Sequence, residues 1–191
     1  MRRAGLLALA ALLLPVAAVA QPAAAAALRG QIDAELSARQ AGLAAVYRDL
    51  HAHPEVAFQE TRSAALLAAR MRALGFSVSE GVGGTGIVAI LRNGEGPVVL
   101  VRTDMDALPL DESNDFGHRS RNKGRMHACG HDGHTTMLVG AARYLAETRR
   151  FAGSAVLSFQ PGEEGFAGAK AMIDEGLFER FPVESVYALH N

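Results

Sequence analysis

The sequence predicts an α/β fold built on a mostly parallel sheet. Segments of helical period alternate with short apolar runs of strand type. The run Val98 to Val101 is apolar on both faces, as expected of a central strand covered by helices. Acids and a histidine follow three of these runs, at the strand ends where open α/β sheets place their ligand sites.

Taken in order, Ile32, Leu36, Leu43, Val46 and Leu50 recur at helical spacing and predict an amphipathic helix, which Pro54 ends by biasing His53 away from helical angles. A second helix follows, capped by Glu60 or Thr61, striped by Ala64, Leu67, Ala68, Met71 and Leu74, and stopped by Gly75. The period then shortens. Ile87 to Leu91 and Val98 to Val101 are two short strands joined by the turn Asn93-Gly-Glu-Gly-Pro97. The glycines from Gly81 to Gly86 lack the spacing and the Lys-Ser/Thr of a phosphate loop, so they mark a close approach to the sheet. Residues 111 to 128 show no period and form a long loop, a length that is uncommon without a function. A helix starting at Thr135 or Thr136 carries Met137, Leu138, Ala141, Ala142 and Leu145 inward. A strand at Val156 to Phe159, a helix over Ala167 to Glu175 closed by Gly176, and a strand at Val186 to Leu189 complete the chain.

The 191 residues hold 19 basic and 20 acidic side chains, a formal charge of -1. With no long basic run, nothing electrostatic favours nucleic acid or an anionic membrane. The single cysteine, Cys129, excludes an intrachain disulfide and leaves a buried thiol, a ligand, a nucleophile or a link to another chain. Arg2 and Arg3, the apolar run Leu6 to Leu14, and small residues at Ala18 and Ala20 predict a signal peptide over residues 1–20, hence a periplasmic or secreted protein without a membrane anchor after cleavage. Residues 21–30 are expected to be a linker or the frayed start of the first helix, and 31–191 the folded part.

The polar clusters carry the chemistry. Asp104 and Asp106 follow one strand, Glu163 and Glu164 another, His190 a third, while Cys129, His131 and His134 precede a helix. If the strands are parallel, these segments converge on one sheet edge. Thiolate, imidazole and carboxylate together suit zinc, and the oxygen and nitrogen donors also admit manganese, cobalt or nickel. A bend at Gly130 lets Cys129 and His131 turn inward together, which a helix would forbid at that spacing. Of two adjacent acids, one can bind metal while its neighbour takes a proton from water. An acid pair alone ordinarily marks a solvated face, and a lone strand-end histidine is weak; convergence gives them weight.

The motifs His51-Ala-His-Pro-Glu55, Arg102-Thr-Asp-Met-Asp-Ala-Leu-Pro109, Met126-His-Ala-Cys-Gly-His-Asp-Gly-His-Thr135, Gln160-Pro-Gly-Glu-Glu164 and His190-Asn191 resemble the amidohydrolase branch of the aminoacylase/carboxypeptidase metallopeptidases. That branch includes hydrolases of hippurate, N-acetyl amino acids and auxin conjugates. The resemblance implies a three-layer α/β/α zinc-peptidase-like catalytic domain and a dinuclear centre holding two divalent ions. In it Cys129 bridges the ions, His131, Glu164 and His190 are further ligands, Glu163 is the general base, Asp104 is an acid behind the ligands, and His134 lines or braces the substrate site. Arg102 replaces a histidine that is a ligand in other branches. The implied substrate is a small N-acyl amino acid or short peptide. Family members continue into a lid and dimerisation domain and back to a final ligand histidine, so the resemblance implies an N-terminal fragment of a homodimeric parent, poorly stable and weakly active by itself. An aminopeptidase or carboxypeptidase, or a non-catalytic metal-binding fragment, are the alternatives.

Overall fold

The computed structural model describes residues 22–191; the expected signal peptide lies outside them. Helix α1 (Pro22–Ala52) takes in the segment expected as a linker. Alanine is the strongest helix former and proline is tolerated in the first turn, so the Ala-rich stretch extends the helix. Then come α2 (Thr61–Ala73), the strands β1 (Ser77–Val82), β2 (Gly86–Asn93) and β3 (Val98–Asp104), and α3 (His131–Thr148). Strand β4 (Gly153–Gln160), one kinked turn α4 (Glu163–Phe166), α5 (Gly168–Asp174), α6 (Leu177–Arg180) and β5 (Ser185–Ala188) follow.

The five strands form one sheet in the order β1-β2-β4-β3-β5. The expectation of a mostly parallel sheet is corrected here: it is mixed. Strands β3, β4 and β5 run parallel, while β1 pairs β2 and β2 pairs β4 antiparallel. The short turn between β2 and β3 suggests neighbours, but β4 lies between them and the turn passes over its start. Two glycines permit that crossing. A Cβ on Gly153 would stand 2.1 Å from the Pro97 carbonyl oxygen, and one on Gly96 2.8 Å from the Gly153 nitrogen.

Alternating strand side chains divide the core into two layers of contact. Ile87, Ala89, Leu91, Leu157 and Phe159 pack against Leu67, Ala68 and Met71 of α2 and Leu138 and Ala142 of α3. On the opposite face Val88, Leu100 and Val156 meet Met172, Leu177 and Phe181. Helix α1 packs outside α3. Helices therefore cover both faces, and the parallel trio delivers the ends of β3, β4 and β5 to one edge. Among the described residues no helix is long and apolar enough to cross a membrane.

Candidate metal centre

The centre grows from four chain segments. Strand β3 ends in Asp104, followed by Asp106, and both are buried. Gly130, with φ of 83°, takes the left-handed conformation that glycine tolerates best and starts α3 directly at His131. The helix thus begins four residues before the earlier of the two expected starts, placing His131 and His134 three apart on one face. The turn after β4 presents Glu163 and Glu164, and the end of the chain presents His190.

The seven residues to which the resemblance gives a site role all lie here. His131 Nε2 lies 3.3 Å from His190 Nε2, 3.7 Å from Asp104 Oδ2, 3.7 Å from Glu163 Oε2 and 3.8 Å from Glu164 Oε1. His190 Nε2 is 3.9 Å from Cys129 Sγ and 3.6 Å from Asp104 Oδ2. Two groups of donor atoms result, Asp104, His131, His134 and His190 in one, and Cys129, His131 and Glu164 in the other; within each, the atoms lie within 4.8 Å of one another. His131 belongs to both. This donor set suits a pair of divalent ions.

The hydrogen bonds test that fit. His131 Nδ1 is 2.7 Å from the Asp106 carbonyl oxygen, which can only accept, so Nδ1 carries the proton and Nε2 points its lone pair into the cluster. Two buried carboxylate oxygens, Asp104 Oδ2 and Glu164 Oε1, have no hydrogen-bond partner. Arg102 Nη1 stands 2.8 Å from Asp104 Oδ2, but out of line for a hydrogen bond. The His131 Nε2 lone pair thus faces those two carboxylate oxygens at 3.7–3.8 Å, an arrangement that asks for a cation between them. Burial pushes the Cys129 thiol up to about 11, and the nearby Glu164, Glu163 and Asp104 add to the shift. Without a cation the sulfur keeps its proton, so metal uptake releases one. Burial opposes charging His131, yet the Asp106 hydrogen bond and the Asp104 charge outweigh it and raise its pKa. Protons therefore compete with metal at that ring.

His134 is held differently. Asn191 donates its backbone N–H to His134 Nε2 at 3.2 Å, so Nδ1 is the protonated atom and donates to Asp104 Oδ1 at 2.8 Å. With both nitrogens engaged, the ring braces Asp104 against the end of the chain, although it lies close enough to offer a ligand atom. Beside the centre a cavity of about 580 Å³ is lined by Tyr47, His127, Met137 and Leu189 among others, room for a small substrate.

The comparisons with known proteins agree with this geometry. Residues 100–191 match the model of peptidase family M20/M25/M40. The chain is 46% identical over 147 residues to a hippurate hydrolase of Campylobacter jejuni, covering 76% of this chain and 38% of that protein. It is 42% identical over 146 residues to IAA-amino acid hydrolase ILR1-like 2 of Arabidopsis thaliana, covering 76% of this chain and 33% of the other. The crystal structure of Bacillus subtilis YXEP, described as a dinuclear metal binding peptidase of the M20 family, superposes with a TM-score of 0.75 at 34% identity, over 81% of this chain and 44% of that one. The chain is a homologue of M20-family amidohydrolases. It spans less than half the length of those relatives.

Sequence reading leaves several residues of this M20 homologue without a role. Asp106 accepts the backbone N–H groups of Glu163 and Glu164, both at 2.9 Å, and so fixes the acid pair; its own pKa is lowered, burial being outweighed by His131 and those two amides. His51 joins Asp132 Oδ2, at 2.6 Å, to Glu112 Oε1, at 3.1 Å, tying the start of α3 to the long loop. Burial works against the charged form of His51, but the two carboxylates prevail and raise its pKa. The motif His51-Ala-His-Pro-Glu55 gave a signal for this residue but no role.

His127 is buried with both ring nitrogens unpartnered, and burial lowers its pKa to about 4. The unfolded chain takes up this proton below the ordinary histidine value of 6.5, the folded chain only near 4, so its contribution to stability is present above 6.5 and lost as pH falls toward 4. Metal-free protein is expected to lose about 2 kcal/mol from this group between pH 7 and pH 5. Replacing His127 by Leu removes that component, so urea midpoints near pH 7 and pH 5 should lie closer together in H127L than in the parent. An unchanged pH dependence would show that His127 is not the group responsible.

Proposed function

We propose that the protein hydrolyses the amide bond of small N-acyl amino acids with the help of two divalent ions. The observation that carries this reading is the meeting of Cys129, His131 and Glu164 in one donor group and of His131 and His190 in the adjoining one, with Glu163 Oε2 3.7 Å from both His131 Nε2 and His190 Nε2. Likeness to a hippurate hydrolase and an IAA-amino acid hydrolase supports the substrate class.

Bound ions supply positive charge that polarises an amide carbonyl and makes a neighbouring water easier to deprotonate. Cys129, His131, Glu164 and His190 hold them. Glu163 takes one proton from the attacking water as its oxygen bonds to the carbonyl carbon; the C–N bond then breaks and Glu163 passes the proton to the departing amine. Asp106 keeps Glu163 and Glu164 in register by holding their amides. Asp104 steadies His134 and turns its free oxygen toward His131 and His190. Arg102 donates to Gln160 at 2.8 Å, linking the ends of β3 and β4. The cavity walls Tyr47, Met137 and Leu189 offer an apolar surface to the acyl group. Export to the periplasm or beyond is part of the same proposal, supported by Arg2, Arg3 and the apolar run Leu6 to Leu14.

The test is a panel of small N-acyl amino acids set beside dipeptides with free termini, with metal content measured on the same sample. The full chain is expected to favour the N-acyl compounds by at least about tenfold in kcat/KM. Preference for free dipeptides would assign the site to a peptidase, and bound metal without any turnover to a binding module.

A further inference from the structure

The turn that presents Glu163 and Glu164 is held by three successive backbone N–H groups. Glu163 and Glu164 donate to the two oxygens of Asp106. Gly162 donates to Glu60 Oε1 at 2.8 Å, across 102 positions of sequence. Glu60 stands at the N-terminal boundary of α2 yet makes no side-chain bond to that helix. Its carboxyl group is fully buried, and its second oxygen takes the hydroxyl of Thr85 from the turn between β1 and β2. Among the described residues no Lys, Arg or His forms an ion pair with it.

A buried carboxyl group is costly unless its oxygens are used, and here one is used on the turn that presents the acid pair and the other on the turn between β1 and β2. Gly162 has φ of 53° and lies against Phe58, whose ring atoms stand 3.0–3.4 Å from where a Cβ would be, so the turn cannot relax freely toward that side. We propose that Glu60 is a positioning residue: by holding the Gly162 amide it sets the direction in which the turn projects Glu163 and Glu164 toward His131. This inference rests on the proposed hydrolase reading for its kinetic consequence. The clamp itself does not, because it is a contact within the chain.

Two variants separate geometry from charge. Glu60→Gln keeps an acceptor for Gly162 and a group that can bond the Thr85 hydroxyl, without the charge. Glu60→Asp keeps the charge but shortens the arm by one methylene. In the metal-loaded full chain, Glu60→Gln is expected to hold kcat within about threefold of the parent, whereas Glu60→Asp should lose at least about tenfold in kcat with KM little changed, as expected when a reacting group is misplaced. Amide hydrogen exchange at residues 162–164 should accelerate in Glu60→Asp and stay protected in Glu60→Gln. If the two variants behave alike, or if Asp matches the parent and Gln does not, positioning by Glu60 is wrong. Should the parent turn over no N-acyl amino acid, the hydrolase reading fails alone, and the exchange pattern still decides the clamp.

Discussion

Glu163→Gln is expected to keep its metal and to lose turnover by roughly three orders of magnitude, the scale of a well-placed general base. The substitution is nearly isosteric, and the backbone of residue 163 stays fixed because Asp106 holds its amide. What disappears is the ability to accept a proton. Glu163 Oε2 lies 3.7 Å from both His131 Nε2 and His190 Nε2, beside the cluster and one-third exposed, so a water molecule can reach it. KM should change little, since the removed step belongs to the transition state. Metal content and rate measured on one preparation check both halves. Activity within tenfold of the parent would remove Glu163 from proton transfer, and loss of an ion would make it a ligand.

Cys129→Ala is expected to lose metal, and activity with it. Sulfur is the only soft donor in the cluster, and it sits between Glu164 and His190. In the metal-free protein its thiol is pushed up to about 11, so the anion exists at neutral pH only where a cation compensates it. Alanine removes that donor and leaves the carboxylates of Glu163, Glu164 and Asp104 facing one another without it. The metal-to-protein ratio should fall by at least one ion, with kcat/KM lower by a factor on the order of a thousand or more. His134→Ala supplies the contrast: both its ring nitrogens are engaged within the protein, and the ratio should hold.

Much of this site is legible along the chain because strand ends are easy to see. An apolar run followed by acids places Asp104 and Glu163 without any knowledge of pairing. The bend at Gly130 is equally visible, since glycine before a histidine cluster signals a left-handed turn. Strand order is less visible, because pairing is decided by distant segments. The turn Asn93-Gly-Glu-Gly-Pro97 looks like a simple link between neighbours, and only the pairing of β4 with both β2 and β3 shows that β4 lies between them. The start of α3 was hidden by its polar first turn, in which His131, Asp132 and His134 are buried for reasons of coordination and hydrogen bonding instead of hydrophobic period. Glu60 reads locally as a cap, and its partner Gly162 lies 102 positions further along the chain.

The most direct test of the central claim is the number of divalent ions bound per full chain after exhaustive dialysis, measured by elemental analysis of the wild-type protein. Two ions per chain are expected, because Asp104, Cys129, His131, Glu164 and His190 together offer more donors than the four that a single tetrahedral ion takes. A ratio that stays near zero after reconstitution with zinc, manganese, cobalt or nickel would contradict the account.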